Sequence, residues 1–236
     1  MLRHLIRTTF LLLFMAVIAA PASAQVVQAL HIGGGGFLPR GYDGRIAGDV
    51  LVEDLNSLAF KIKDFNSGQL FGEWLLEYGN HIELGASVGF YRGSTPTVYR
   101  DLTHPNGSEI QQELRLRIVP FTAMVRFLPV GRPSGVQPYV GIGLSALRYR
   151  YTESGEFVDY SDYSTFQTRY IATGTGVGPV WAAGIRFPLN GDIWALTTEW
   201  RYQMGSGKTG GLANGFLNEK IDLGGSNFNV GLLVRF

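Results

Sequence analysis

The sequence predicts an all-β fold, an eight-stranded antiparallel up-and-down transmembrane β-barrel with four long outside loops and short turns at its other end. Three observations carry this prediction. Apolar and polar residues alternate with period two along eight segments, as strands with one face in each environment require. The connections between those segments alternate strictly between long and very short. The last segment, Phe228 to Phe236, is apolar on one face, charged on the other at Arg235, and stops at an aromatic residue.

The first strand spans Val26 to Leu38, where the run Gly33-Gly34-Gly35-Gly36 marks a bend or close packing. The second runs from Asn66 to Tyr78, and a tight turn at Gly79-Asn80 leads to the third, His81 to Arg92. The fourth, Ile110 to Leu128, changes phase: Leu114, Leu116 and Ile118 share one face, whereas Phe121, Ala123, Val125 and Phe127 share the other. Pro120 lacks a ladder donor, so a β-bulge is expected at Val119-Pro120. A turn through Gly131 to Gly135 precedes the fifth strand, Gln137 to Thr152, and the sixth is Gly176 to Leu189. Asn190-Gly191, a favoured hairpin pair, joins it to the seventh, Ile193 to Met204, and Ser226 to Phe236 is the eighth. The long polar connections are 39–65, 93–109, 153–175 and 205–225, the first with room for a further hairpin. Short turns on one side and long loops on the other are the pattern of bilayer-spanning barrels.

Facing is a separate test. All four tryptophans, Trp74, Trp181, Trp194 and Trp200, fall on the apolar faces. Glu77, Glu83, Arg186, Glu199, Arg201 and Arg235 fall on the opposite faces and become barrel interior charges if the apolar side meets lipid. Aromatic residues near strand ends, namely Tyr78, Phe127, Tyr139, Phe187 and Trp194, suit an interfacial belt. An eight-stranded barrel encloses just enough space for side chains, so the interior charges are expected to pair and plug the lumen.

The N-terminus carries Arg3 and Arg7, an apolar stretch from Phe10 to Ala20 and the small-residue triplet Ala22-Ser23-Ala24. That is the pattern of a cleavable signal peptide over 1–24, leaving 25–236 as one outer-membrane β-barrel domain. The apolar stretch is shorter than the roughly 20 residues a membrane-spanning helix needs. There is no cysteine, so neither disulfides nor a lipidated N-terminal cysteine is available. Glycine, at 32 of 236 residues, is about twice its average frequency. A formal net charge of +1 argues against nucleic acid as a partner.

Phe71-Gly72-Glu73-Trp74, Val119-Pro120-Phe121-Thr122, Gln137-Pro138-Tyr139-Val140-Gly141-Ile142-Gly143 and the last strand resemble the small OmpA/OmpX-type outer-membrane barrel family. The resemblance implies a monomer in the outer membrane of a Gram-negative cell envelope, inserted by the barrel-assembly machinery with Phe236 as its assembly signal. It implies outer-membrane lipid and lipopolysaccharide as partners, with no cofactor and no metal. Members of that family serve as anchors, adhesins, complement-evasion proteins and narrow channels. With nothing after Phe236, the periplasmic peptidoglycan-binding domain of some relatives is expected to be absent.

Candidate chemistry is sparse. Gly205-Ser206-Gly207-Lys208-Thr209 resembles the end of a phosphate-binding loop, but Tyr202 stands where the pattern needs glycine and Gly210-Gly211 follows where a helix should. A lipid A-modifying acyl enzyme needs a hydroxyl activated by histidine. His104 and Ser108 share the second long connection, and His31 and His81 have no serine two positions on. Glu153, Glu156, Asp159 and Asp162 lie among Phe157, Tyr160, Tyr163, Phe166 and Tyr170, either as a divalent-cation site bridging lipopolysaccharide phosphates or as a polar loop whose aromatics pack together. The reading is a non-enzymatic structural or surface-interaction barrel, with an acyl enzyme and a narrow passive channel as the alternatives.

Overall fold

The computed structural model describes residues 26–132, 135–189 and 193–236. The expected signal peptide 1–24 and the Asn190-Gly191 pair lie outside those residues, as does part of the Gly131–Gly135 turn. Eight antiparallel strands close into a barrel in which each is hydrogen-bonded to its sequence neighbour, and the first pairs with the last. These are β1 (Val26–Pro39), β2 (Ser67–Tyr78), β3 (Ile82–Thr103), β4 (Glu109–Phe127), β5 (Gln137–Val158), β6 (Thr165–Leu189), β7 (Trp194–Gln203) and, after two short strands, β10 (Gly225–Arg235). Closure leaves no unpaired strand edge at the level where all eight strands run side by side, as a bilayer demands of a sheet.

Two glycine-dependent features set local geometry. Gly79 sits at φ +58 in the tight turn from β2 to β3, a conformation glycine adopts without strain. In the glycine run of β1, a Cβ at Gly33 or Gly35 would collide with the β10 backbone at Val230 and Phe228. The run therefore lets β1 and β10 approach closely at the closing seam.

The long connections are more ordered than plain polar loops. Residues 39–65 form no hairpin; they hold two short 3₁₀ turns flanking helix α1 (Val50–Ser57). Much of 93–109 and 153–175 is strand, so that β3, β5 and β6 run 22, 22 and 25 residues and only 104–108 and 159–164 connect them. Within 205–225, β8 (Ser206–Lys208) and β9 (Lys220–Asp222) pair as a small hairpin.

The expected bulge at Val119-Pro120 is absent. Val88–Phe121 and Tyr91–Ile118 belong to one register, which shifts only between Val98 and Thr103. Even-numbered residues of β4 point inward throughout, with Ile110, Leu114, Leu116, Ile118, Thr122, Met124 and Arg126 all buried. What switches at Pro120 is the environment. Toward the short turns the outside is apolar, with Phe121, Val125 and Phe127 about half exposed, and the inside is polar. Toward the long hairpins the inside is apolar and the outside carries Arg115 and Arg117.

The same change of the outer face occurs at a similar height on the neighbouring strands β3 and β5. Outward Phe90 is followed by Arg92 on β3, and Ala146 by Arg148 on β5. Below that line Trp74, Val88, Ile142, Leu144, Val177, Trp194, Trp200 and Val230 project outward and exposed. Such a belt would be intolerable in water and is what a lipid-facing surface requires. No helix among the described residues is long and apolar enough to cross a membrane; the strands cross it.

Candidate functional site: lumen and rim

The membrane-level lumen is filled by ion pairs built from inward positions. Arg126 Nη2 on β4 donates to Glu73 Oε2 at 2.6 Å and to Glu199 Oε2 at 2.8 Å. Arg201 Nε donates to Glu199 Oε1 at 3.0 Å, and Tyr139 OH donates to Glu199 Oε2 at 3.1 Å. Nearer the short turns, Arg186 grips Glu83 with both terminal nitrogens. Glu77 accepts from Arg132 Nη1 at 2.7 Å and Arg235 Nε at 2.9 Å. All six charges expected inside are inside and paired. Period two also reaches Glu73 and Arg126, which alternate with outward Trp74 and Phe127 yet were not among the expected charges.

Tyr139 corrects the expected belt. It is 2% exposed, inside the lumen, with the guanidinium carbons of Arg126 and Arg186 at 5.0 and 4.9 Å from its ring centroid. Pro138 and Val140 take the outward phase of β5 instead. Tyr78, Phe127, Phe187 and Trp194 do project outward at the short-turn end. Phe236 lies there too, edge-on to Trp74 at 5.4 Å, with its backbone N–H donating to Gln28 O at 2.9 Å. The terminal residue thus ties β10 to β1 at the seam.

Above the ion pairs the lumen is a hydrophobic core. Phe37, Tyr91, Leu116, Tyr149, Tyr151 and Leu147 from the strands meet Val50 and Leu51 of α1, Phe60 and Phe65 beyond it, and Phe216, Ile221 and Leu223 from the last long connection. Asp222 locks the two plugs together, accepting from Arg40 Nη1 at 3.3 Å and Ile46 N at 3.1 Å, while its own N–H donates to Asp49 Oδ1 at 2.9 Å. Asp54 on α1 accepts from Tyr151 OH at 2.9 Å. Burial pushes its carboxyl up to about 7, an effect reinforced by Asp49 and Glu53 and opposed by the Tyr151 hydrogen bond. Burial, with Asp54 nearby, pushes Glu153 up to about 9.

The catalytic candidates do not converge. His104 Nε2 lies 3.1 Å from Glu156 Oε2, whereas Ser108 Oγ donates to Asn106 Oδ1 at 2.8 Å. His81 Nδ1 lies 2.8 Å from Leu128 O. His31 stands between Thr197 Oγ1 (2.7 Å) and Glu73 Oε2 (3.1 Å), in the order of a hydroxyl–imidazole–carboxylate relay. Yet His31 is wholly buried among the ion pairs, leaving no room for a substrate. Gly205 to Thr209 includes β8 and precedes no α-helix.

The acidic residues of the third connection scatter. Asp159 and Asp162 accept from backbone N–H groups of their own turn, at Ser161 and Ser164, and Glu156 takes His104. No group of three or more metal-ligating side chains occurs among the described residues. The aromatics do pack together, Phe157 meeting Phe166 at 6.1 Å and Tyr170 at 4.9 Å.

No family model matches the chain, and no curated protein does. Among solved structures it is similar to Ail, the attachment invasion locus protein of Yersinia pestis, at 13% identity and TM-score 0.42 over 89% of this chain and 99% of that one. It is similar to outer membrane protein W of E. coli at 18% identity and TM-score 0.39, over 89% of this chain and 98% of that one. It is also similar to the Escherichia coli outer membrane protease OmpT, at 12% identity and TM-score 0.43 over 92% and 99%. The closed ring of eight strands, apolar outside and charged inside at one level, gives the chain the architecture of an eight-stranded up-and-down transmembrane β-barrel.

Proposed function

We propose that this chain is a non-enzymatic outer-membrane barrel, a structural and surface-interaction protein that works through its protruding hairpins and plugged outer rim rather than by conducting or by catalysis. What supports this is the filled lumen: ion pairs occupy the membrane level, and the core around α1 and Phe216 occupies the level above. Arg126 and Arg186 are fully buried within it, so ions have no wide path past them. At the rim Tyr160, Tyr163, Leu212 and Leu217 are left exposed. The chain is read as the monomer 25–236, delivered by the barrel-assembly machinery after loss of its signal peptide.

Reconstitution into planar lipid bilayers tests this, alongside mass spectrometry of lipid A from expressing cells. The expected outcome is a bilayer no leakier than the protein-free control and a lipid A mass profile unchanged by expression. Discrete conductance steps would replace the reading with a channel, and a lost or gained acyl mass would replace it with an enzyme.

A further inference from the structure

We propose that an arginine ladder on the outer wall of β3, β4 and β5, centred on Arg92, Arg117 and Arg150, binds the phosphate groups of an outer-leaflet lipid. Arg92 is the direct cross-strand partner of Arg117, and Arg117 of Arg150. Like charges placed directly opposite on one face of a sheet repel, so three guanidinium groups in a row make an unfavourable arrangement until an anion joins them. None of the three has an ion pair with a described residue. Arg115, one step further along β4, is already neutralised by Glu113, both carboxylate oxygens of which lie 2.7 Å from its Nη2. The ladder is therefore an uncompensated cationic surface, and guanidinium forks suit phosphate oxygens.

Position selects the occupant. The ladder borders an outer-wall recess of about 180 Å³ whose lining also includes Thr152, Arg169 and, on the membrane side, Phe90. Arg92 follows Phe90 by two residues and Arg117 precedes Val119 by two, so the ladder begins where the apolar belt ends. Two residues of tilted strand rise about 5 Å, which places the guanidinium groups at headgroup height. A ligand with acyl chains below and phosphate above matches an apolar wall that turns cationic. A free anion has no use for the apolar part, and an acidic polypeptide would not need the ladder at the membrane line.

The inference rests on the membrane reading, and the test separates the two. Wild type and R92Q/R117Q/R150Q are refolded into phosphatidylcholine nanodiscs, with K63Q as a charge control. Native mass spectrometry then measures retention of bisphosphorylated lipid A, dephosphorylated lipid A, inorganic phosphate and a polyglutamate peptide. Wild type and K63Q should retain bisphosphorylated lipid A at least about tenfold better than the triple variant, and dephosphorylated lipid A should show no such difference. Retention by the triple variant within twofold of wild type overturns the site, as does equal retention of the dephosphorylated lipid. Displacement by inorganic phosphate reassigns it to free anions, and tighter binding of polyglutamate reassigns it to a polypeptide. A wild-type chain that does not enter nanodiscs at all overturns the membrane reading instead. The three side chains lie on the outer surface, so heat-modifiable gel migration should be retained in the triple variant and verifies that it folds.

Discussion

Arg126 holds Glu73 and Glu199 through one nitrogen, with the ring of Tyr139 beside it. Removing the cation leaves two buried carboxylates to share the guanidinium of Arg201. Arg126→Met should therefore lower the stability of the refolded barrel by about 3–5 kcal/mol, read as a lower urea midpoint. Adding Glu73→Gln should recover part of that loss, because one of the stranded charges goes with it. Asp54 acts in the opposite sense, outside the membrane. Its carboxyl is raised to about 7 chiefly by burial, so the folded cap keeps a proton that an unfolded chain loses near pH 4. That contribution to stability is full below pH 4 and is lost as pH rises through 7. Hydrogen exchange of Val50 to Ser57, corrected for intrinsic rates, should be faster at pH 8.5 than at pH 5.5. Asp54→Asn should flatten the difference.

At the scale of elements, β10 offers two positions of the same phase at different depths. Leu232 pairs across to Ile32 and Leu196 in mid-belt, while Ser226 sits near the upper end beside Leu38. Leu232→Arg should cost about 2–4 kcal/mol and Ser226→Arg about 0–1, measured as urea midpoints in lipid vesicles. Equal losses would remove the depth gradient on which the belt assignment depends. The hairpins give a second check: limited proteolysis should cut within 104–108 and 159–164 and spare 93–103, where backbone groups are paired in the sheet. These strand lengths explain where sequence pattern and structure part. Alternation locates a strand only while each face keeps one environment, and both faces of β4 change at Pro120. The change imitates a phase slip, and beyond it the outward arginines of β3 and β4 imitate a polar loop. Tyr139 departs from the expected belt for a related reason: an aromatic near a strand end fits either a belt or a lumen, and only its odd parity with Gln137 assigns it inward. The eight-strand order, the short turns and the six paired interior charges were legible, because one environmental contrast dominates the membrane level. The plug was not, since α1 shows only when its apolar residues are seen inside the ring.

For the whole molecule, the polar lumen and the apolar outer wall must form together, so the barrel should resist unfolding as a unit in detergent. An unboiled sample should migrate differently from a boiled one on a denaturing gel, and a single unshifted band would count against closure. The two lumen levels make different demands: the lower is held by charge pairs and the upper by a core that water-soluble barrels also use. The continuation of β6 from Val177 up to Thr165 has a consequence of reach. Twelve residues of strand tilted near 40° rise about 30 Å, carrying Tyr160 and Tyr163 above the headgroup layer on a stiff hairpin. Anything that approaches the membrane from that side meets those two rings well before it reaches the wall of the barrel.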